Sequence, residues 1–255
     1  MRYPEATSYT STIYTPVLCT VLQGRKDVQT ADRSVDLRAG DSLIVSHELP
    51  VMSRVTEASV SKPYLAVVVP IDLGMLRSLD TDMGDVAHDD SDTPALSAGA
   101  AEDEVHDVLL RLLRLAERPI ERGVLAPVLM RELHVRLLLS EHGGTLRGLL
   151  DLSSNASRIA RAIELIRTDF ALSLSVESMA RAAAMSESTF HSHFKRITGT
   201  TPVQYVKDFR LLEARRQMRE EGSSAANAAA AVGYKSVSHF SRDYARKFGV
   251  SHGSE

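Results

Sequence analysis

The chain has 255 residues, 44% of them apolar, a single cysteine and a formal net charge of -3. This length suits two domains of ordinary size with real cores. One cysteine excludes both an internal disulfide and a cysteine-pair metal site, which fits the reducing cytosol. No apolar run approaches the roughly 20 residues that a bilayer span needs, and the N-terminus MRYPEATSYTSTIYTP lacks an export signal's apolar segment. The expectation is a cytoplasmic protein without membrane contact. Its charge is uneven: residues 1–150 carry 15 Lys+Arg against 22 Asp+Glu, and residues 151–255 carry 15 against 11. An acidic front and a basic rear match a DNA-binding module joined to a domain with another task.

In chain order, residues 13–70 alternate or run apolar with β-branched enrichment, broken at Gly24, Gly40-Asp41, Pro50 and Pro63. Short strands at this spacing predict a small antiparallel barrel or double-sheet jelly roll. Cys19, inside the run Val17 to Leu22, reads as a buried small hydrophobe. Gly40-Asp41 marks a tight turn before a buried strand at Ser42 to Ser46. Residues 80–100 are acidic and rich in Gly, Ser and Pro, and read as a surface loop. Within them Asp82, Asp85, His88, Asp89 and Asp90 lack calcium-loop spacing and read as solvated side chains. Two helices follow, over 102–118 (Val105, Val108, Leu109, Leu112, Leu113, Ala116) and 124–141 (Leu125, Leu129, Leu133, Val135, Leu137 to Leu139). Their apolar stripes suit packing on their own domain and the seam of a twofold dimer equally well. His142-Gly143-Gly144 ends the second helix, and Leu149 to Ser157 bridges to the next domain. The boundary therefore falls between 1–150 and 151–255.

The remainder reads as all helical. Arg158 to Ala171 is an amphipathic lead helix. Residues 174–199 (LSVESMARAAAMSESTFHSHFKRITG) and 223–249 (SSAANAAAAVGYKSVSHFSRDYARKFG) then repeat one plan: a small-residue helix, a break, a serine, a second helix with aromatics and basic residues, and a closing glycine. Such a pair is the helix-turn-helix unit, whose second helix enters the DNA major groove. Between the units, Pro202 opens a helix to about Arg219. In the first unit Ser186 is the N-cap, and Phe190, Phe194 and Ile197 fall on one helix face. Ser188, His191, Ser192 and Lys195 fall on the opposite face, able to meet base edges and phosphates. In the second unit Gly233 makes the turn, and Phe240, Tyr244 and Phe248 are core. Ser238, Ser241, Arg242 and Arg246 are left for DNA. A guanidinium fork suits the two acceptors of guanine, so Arg242 is the strongest base reader, its competing role being an ion pair with Asp243. His191 and His193 point apart on a helix and make a poor metal pair. His47-Glu48 lacks the further ligands of a barrel metal site. No nucleophile–base or paired-carboxylate array converges, so neither cofactor nor metal is expected.

The phrases MSESTFHSHFKRITGTTPVQYVKDFRLLEARRQM and AVGYKSVSHFSRDYARKFG resemble the DNA-binding domain of the AraC/XylS family of bacterial transcription regulators. The front segments TPVLCTVLQGRKDV, LRAGDSLIVSHELPV and ASVSKPYLAVVV resemble the cupin-like effector domain of one AraC-type subgroup. The resemblance implies an α+β chain. It consists of a cupin-like antiparallel β barrel with a helical dimerisation region (1–150), then an all-α domain with two helix-turn-helix units (151–255). It also implies double-stranded promoter DNA, RNA polymerase and a small-molecule effector as partners, a homodimer, and activation of transcription. Carried over by position, Ser188, His191 and Ser192 face the groove in the first unit with Lys195 near phosphate. In the second the groove residues are Val237, Ser238, Ser241 and Arg242. Four features depart from the family pattern: Ala184 where the first turn usually has Gly, an alanine-rich Ala225 to Ala231, a terminal HGSE without the usual Pro, and a short start that implies missing barrel strands. Two alternatives follow from the front domain. A barrel filled by bulky side chains would serve dimerisation alone, and a metal triad would make it an enzyme, for which His47 stands alone.

Overall fold

The computed structural model describes residues 1–83 and 93–251. Among them nine strands form two antiparallel sheets: β1 (Arg2–Tyr3), β2 (Thr10–Tyr14), β3 (Val17–Gln23), β4 (Arg25–Gln29), β5 (Ser34–Arg38), β6 (Asp41–Val45), β7 (Leu49–Glu57), β8 (Tyr64–Pro70) and β9 (Leu96–Ala100). One sheet has the order β1-β8-β3-β6-β9 and the other β2-β7-β4-β5. Strands β3 and β6 at its centre are buried on both faces, which is why they read as apolar runs rather than clean alternation. Val17, Cys19, Val21, Leu43, Val45, Tyr64 and Ala66 point into the core between the sheets. Leu18, Ile44 and Val69, one residue out of phase, point instead into a second core. Cys19 is buried, and burial pushes its thiol up, away from the reactive thiolate.

The second core is closed by α1 (Leu73–Met83), α2 (Asp103–Arg114), α3 (Pro119–Leu139) and the short α4 (Gly144–Arg147). Three expectations are corrected here. The surface loop expected over 80–100 contains β9, whose Ala and Gly carry no strand preference and which is held by pairing with β6 from Asp41↔Ala100 to Val45↔Leu96. Helix α1 went unread because its seven apolar and polar positions before Asp80 are too few to set a period. Helix α3 starts at Pro119, the favoured first helical position, not at 124. Of the five polar residues weighed in 80–100, Asp82 pairs with Arg131, and Asp85, His88, Asp89 and Asp90 lie outside the described residues.

The rest is helical: α5 (Asn155–Asp169), α6 (Val176–Ala182), α7 (Glu187–Thr198), α8 (Pro202–Glu220), α9 (Ala225–Ala231) and α10 (Val237–Phe248). Helix α5 begins three residues earlier than its periodicity suggests, because Ser154 caps it by accepting from Ser157 N–H. The core between the sheets runs without a break into α5, α6, α7 and the first half of α8, through Ile159, Ile163, Phe190, Phe194, Tyr205 and Phe209. Polar contacts fix this junction. Tyr205 donates its hydroxyl to the Glu48 carbonyl at 2.6 Å, and Ala95 N–H donates to the Ile197 carbonyl at 2.9 Å. Gly199 lies so close to the β4–β5 turn that a Cβ there would stand 2.2 Å from Asp32 Oδ1.

His47 is the buried pin of this junction. Its Nε2 lies 3.0 Å from the Ala156 carbonyl and its Nδ1 lies 2.7 Å from Ser46 Oγ. A carbonyl only accepts, so Nε2 carries the hydrogen and Nδ1 accepts from the serine. Burial holds the imidazole below its ordinary value of 6.5, against the opposing pull of the Ala156 bond. An unfolded His47 therefore takes up a proton more readily than the folded one as pH falls through about 6.5, so acidification favours the unfolded state. Urea midpoints should fall between pH 7 and 5.5, and His47→Gln should flatten that slope. Equal slopes in the two proteins would remove His47 from the account.

Candidate nucleic-acid interface

The two helix pairs are built alike at atomic level. In the first, Ala184 N–H bonds to Arg181 O and Met185 N–H to Ala180 O, both at 3.0 Å. In the second, Gly233 N–H bonds to Ala230 O at 3.0 Å and Tyr234 N–H to Ala229 O at 2.9 Å. This is the glycine-type helix stop, which requires a left-handed residue. Gly233 supplies it with φ 85°, and a Cβ there would stand 2.2 Å from the Ala171 carbonyl. Ala184 supplies it with φ 52°, the one positive φ outside glycine among the described residues. The first turn therefore keeps the geometry of the second at a backbone cost of about 1 kcal/mol. After each turn a serine caps the second helix: Ser186 accepts from Thr189 N–H and Ser236 from His239 N–H. Left-handed Gly199 and Gly249 end α7 and α10.

Phe190 and Phe194 are fully buried on α7, the latter edge-on to Tyr205 with centroids 5.3 Å apart. Phe240 and Tyr244 play the same part on α10, while Phe248 is half-buried against Tyr244. The opposite faces are open. Ser188, His191, Ser192 and Lys195 are exposed on α7, as are Val237, Ser238, Arg242 and Arg246 on α10, while Ser241 is half-buried. Arg242, Lys195 and Ser192 are exposed and unpaired among the described residues. Ser188 and Ser238 share hydrogen bonds with the cap hydroxyls of Ser186 and Ser236. The His191 ring lies beside Phe190. Ser241 donates back to the Val237 carbonyl at 2.9 Å.

The expected competitor of Arg242 is engaged elsewhere. Asp243 is buried and held by Lys207 at 2.7 Å and Arg246 at 2.8 Å, with the Tyr234 hydroxyl at 3.3 Å. Burial raises this carboxyl, but Lys207, Arg246 and Tyr234 together outweigh it and hold it below the usual carboxylate range. Arg246 thus spends part of its charge inside the protein, unlike Arg242. A second pair crosses the same interface the other way, Lys247 on Asp208 at 3.1 Å. Sequence reading missed this crossed lock because its partners lie 36 and 39 positions apart on different helices. It also missed Arg210, which donates to the Phe170 and Leu172 carbonyls at 2.6 and 2.7 Å and closes the end of α5. Exposed Lys235, unpaired among the described residues just before α10, escaped notice as an ordinary turn residue.

Helix α8 holds the units apart. Its 19 residues span about 28 Å at 1.5 Å each. Tyr205, Val206 and Phe209 enter the first core, and Leu211 and Ala214 enter the second. Among the described residues no group of three or more His, Cys, Asp and Glu is placed to hold a metal ion, and no helix is long and apolar enough to cross a membrane.

Residues 1–145 match the N-terminal domain of AraC-type transcriptional regulators, and residues 179–253 match a helix-turn-helix domain. The chain belongs to the AraC family of transcriptional regulators. It is 34% identical to the transcriptional activator RhaS of Escherichia fergusonii over 95 residues, 37% of this chain and 34% of that one. It is 32% identical to an AraC-like transcription regulator of Streptomyces lividans over 146 residues, 54% of this chain and 46% of the relative. The chain thus spans a third to a half of the length of these curated relatives. The fold is that of ToxT from Vibrio cholerae, with a TM-score of 0.62 at 13% identity, covering 97% of this chain and 96% of ToxT.

Two outcomes follow from this geometry. Ala184→Gly relieves the left-handed alanine and should raise stability, by less than the full backbone cost because glycine gains freedom when unfolded, so about 0.5–1 kcal/mol by denaturant melts. A loss of stability would mean the turn is not strained. Asp243→Asn should cost about 2 kcal/mol, the range of hydrogen bonds to charged groups. A lowered folded value means Asp243 stabilises above about pH 4 and loses that contribution as pH falls further. The variant should therefore lose less stability than the wild type between pH 4 and 2.5.

Proposed function

We propose that this AraC-family DNA-binding regulator is a cytoplasmic, homodimeric, effector-responsive activator and not an enzyme, with 1–150 sensing and dimerising and 151–255 reading promoter DNA. The observation that carries the reading is the pair of open polar faces on α7 and α10, joined by one rigid helix, with an unpaired arginine on the second. On this reading Ser188, His191 and Ser192 meet base edges in one major groove. Val237, Ser238, Ser241 and Arg242 do so in the next, about 34 Å along the duplex. Lys195, Lys235 and the free part of Arg246 meet phosphates. RNA polymerase is the partner that activation requires.

Dimerisation is supported by the front half of α3, where Ile120, Val124 and Val128 are 87, 69 and 61% exposed. Three apolar residues one turn apart form a stripe that a second copy would cover. Effector response is supported by the shared fold: ToxT has been crystallised with an unsaturated fatty acid bound and with (E)-4-(8-methylnaphthalen-1-yl)but-3-enoic acid.

Footprinting on the upstream region tests the reading. One chain should protect two groove segments on one face of the duplex. Arg242→Ala should cost about 1–3 kcal/mol at the cognate site and relax preference at one position, whereas Lys195→Ala should weaken all sequences alike. Equal loss on cognate and random DNA for Arg242→Ala would make that residue a phosphate contact. Val124→Glu with Val128→Glu should yield monomers in sedimentation; an unchanged dimer would move the seam off α3.

A further inference from the structure

A crevice of about 350 Å³ opens where the barrel, α1 and α5 meet. Leu73, Leu149, Leu152 and Ile163 give it apolar walls, with Ser46, His47 and Glu48 from the barrel side. Its four charged residues are Arg77, Arg161, Glu48 and Glu164. The two acids already have a cation, because Arg167 bonds Glu164 and stands 3.8 Å from Glu48. Arg77 and Arg161 have no partner among the described residues. Burial raises the Glu48 carboxyl, against the pull of Arg167. The larger groove between β2 and α8, about 540 Å³, has walls from Thr10, Ser11 and Thr12 and a single arginine, Arg219, without a partner among the described residues. There Arg216 is saturated by Glu213, Glu220 and Glu221, and Arg215 lies over the Phe248 ring.

We propose that the crevice between the barrel, α1 and α5 is a binding site for a small organic anion with an apolar body, its carboxylate held by Arg77 and Arg161. The proposal rests on the effector-responsive reading and names the site and chemical class that the reading leaves open. The volume sits at the small end of ligand pockets and, at about 30 Å³ per water-sized group, takes about a dozen non-hydrogen atoms. Guanidinium forks match a carboxylate in two-point geometry, and Arg77 and Arg161 are both exposed at the crevice. The site also spans the junction. Ser46 to Glu48 belong to the barrel, and Ser157 to Glu164 belong to α5, whose first turn His47 already pins. A ligand there bonds both sides and favours their docked arrangement.

The test is calorimetric titration of the full chain with 2-naphthoate and decanoate, against neutral 2-naphthamide. One carboxylate should bind per chain, and the amide at least tenfold more weakly. Arg77→Gln with Arg161→Gln should erase that difference while leaving the melting temperature in place. Arg215→Gln with Arg219→Gln, in the other groove, should change nothing. Ala160→Leu, which fills the crevice, should weaken both carboxylates. Retention of the charge preference in the Arg77 and Arg161 variant, its loss in the Arg215 and Arg219 variant, or no binding of either carboxylate up to millimolar concentrations would overturn the proposal. DNA affinity with and without 2-naphthoate separates it from the reading beneath it. Binding in the crevice with no change in DNA affinity keeps the site and defeats effector response. A DNA response that survives in the Arg77 and Arg161 variant keeps effector response and defeats the site.

Discussion

Helix α8 is the constraint on which the rest of this structure depends. Among the described residues its buried side chains enter both helix-turn-helix cores, and it also touches the sheets through Tyr205. A helix is stiff because every interior residue adds a backbone hydrogen bond, and between Val203 and Glu221 nothing interrupts it. Thr201 caps its start and Pro202 occupies its first turn, so the register of both recognition helices is set from one fixed origin. Moving Tyr205 moves the second unit as well as the first.

The two units are held with unequal strength, and the reason is compositional. The first unit buries two phenylalanines, a tyrosine and several aliphatics in a core continuous with the sheets. The second buries Phe240 and Tyr244 against Leu211, Val232 and three alanines, Ala214, Ala228 and Ala229, which offer little apolar area. The crossed pairs Lys207–Asp243 and Lys247–Asp208 act where apolar packing is thin. Half-buried ion pairs of this kind contribute direction more than energy, since desolvation offsets much of the attraction. They fix how α10 leans on α8, and so where Arg242 points, without enlarging the core. Arg210 adds a third tie by closing the 170–172 carbonyls against which Gly233 is packed.

The C-terminal half was legible because its signals are local. Serine caps, a left-handed turn and aromatic residues four apart are all written within one unit, and the structure places them as read. The face opposite Phe190 and Phe194 could be derived from helical spacing alone. The front half was less legible because its signals are not local. Strand β9 has the composition of a loop and exists by virtue of β6. The continuity of Leu18 with the helices and of Cys19 with the sheets depends on a sheet covered on both sides, which a run of apolar residues announces without saying what covers it. Asp243 shows the limit most clearly. Beside Arg242 in sequence, it looked like that residue's partner, but adjacent positions on a helix point about 100° apart. Its carboxylate turns inward to Lys207, and Arg242 is left free.

The fused core has a consequence for control. A regulator whose sensor hangs on a flexible linker transmits its state by releasing or capturing the DNA-binding unit. Here Ile197 at the end of α7 is bonded by Ala95, Ala156 at the start of α5 is bonded by His47, and Ile197 and Ile159 lie in the core of the sheets. Packed interiors do not deform smoothly; they shift between discrete arrangements. On the proposed reading, an effector at this junction therefore acts by favouring one docked arrangement of α5 and α7 over another. It can change DNA affinity only by as much as it binds one arrangement better. The coupling is reciprocal, so DNA that selects the same arrangement tightens the effector by an equal factor. A ligand confined inside the sheets, bonding to neither α5 nor its cap, would lack that differential contact. On that reading the switch lies at the junction of α5, α7 and the sheets.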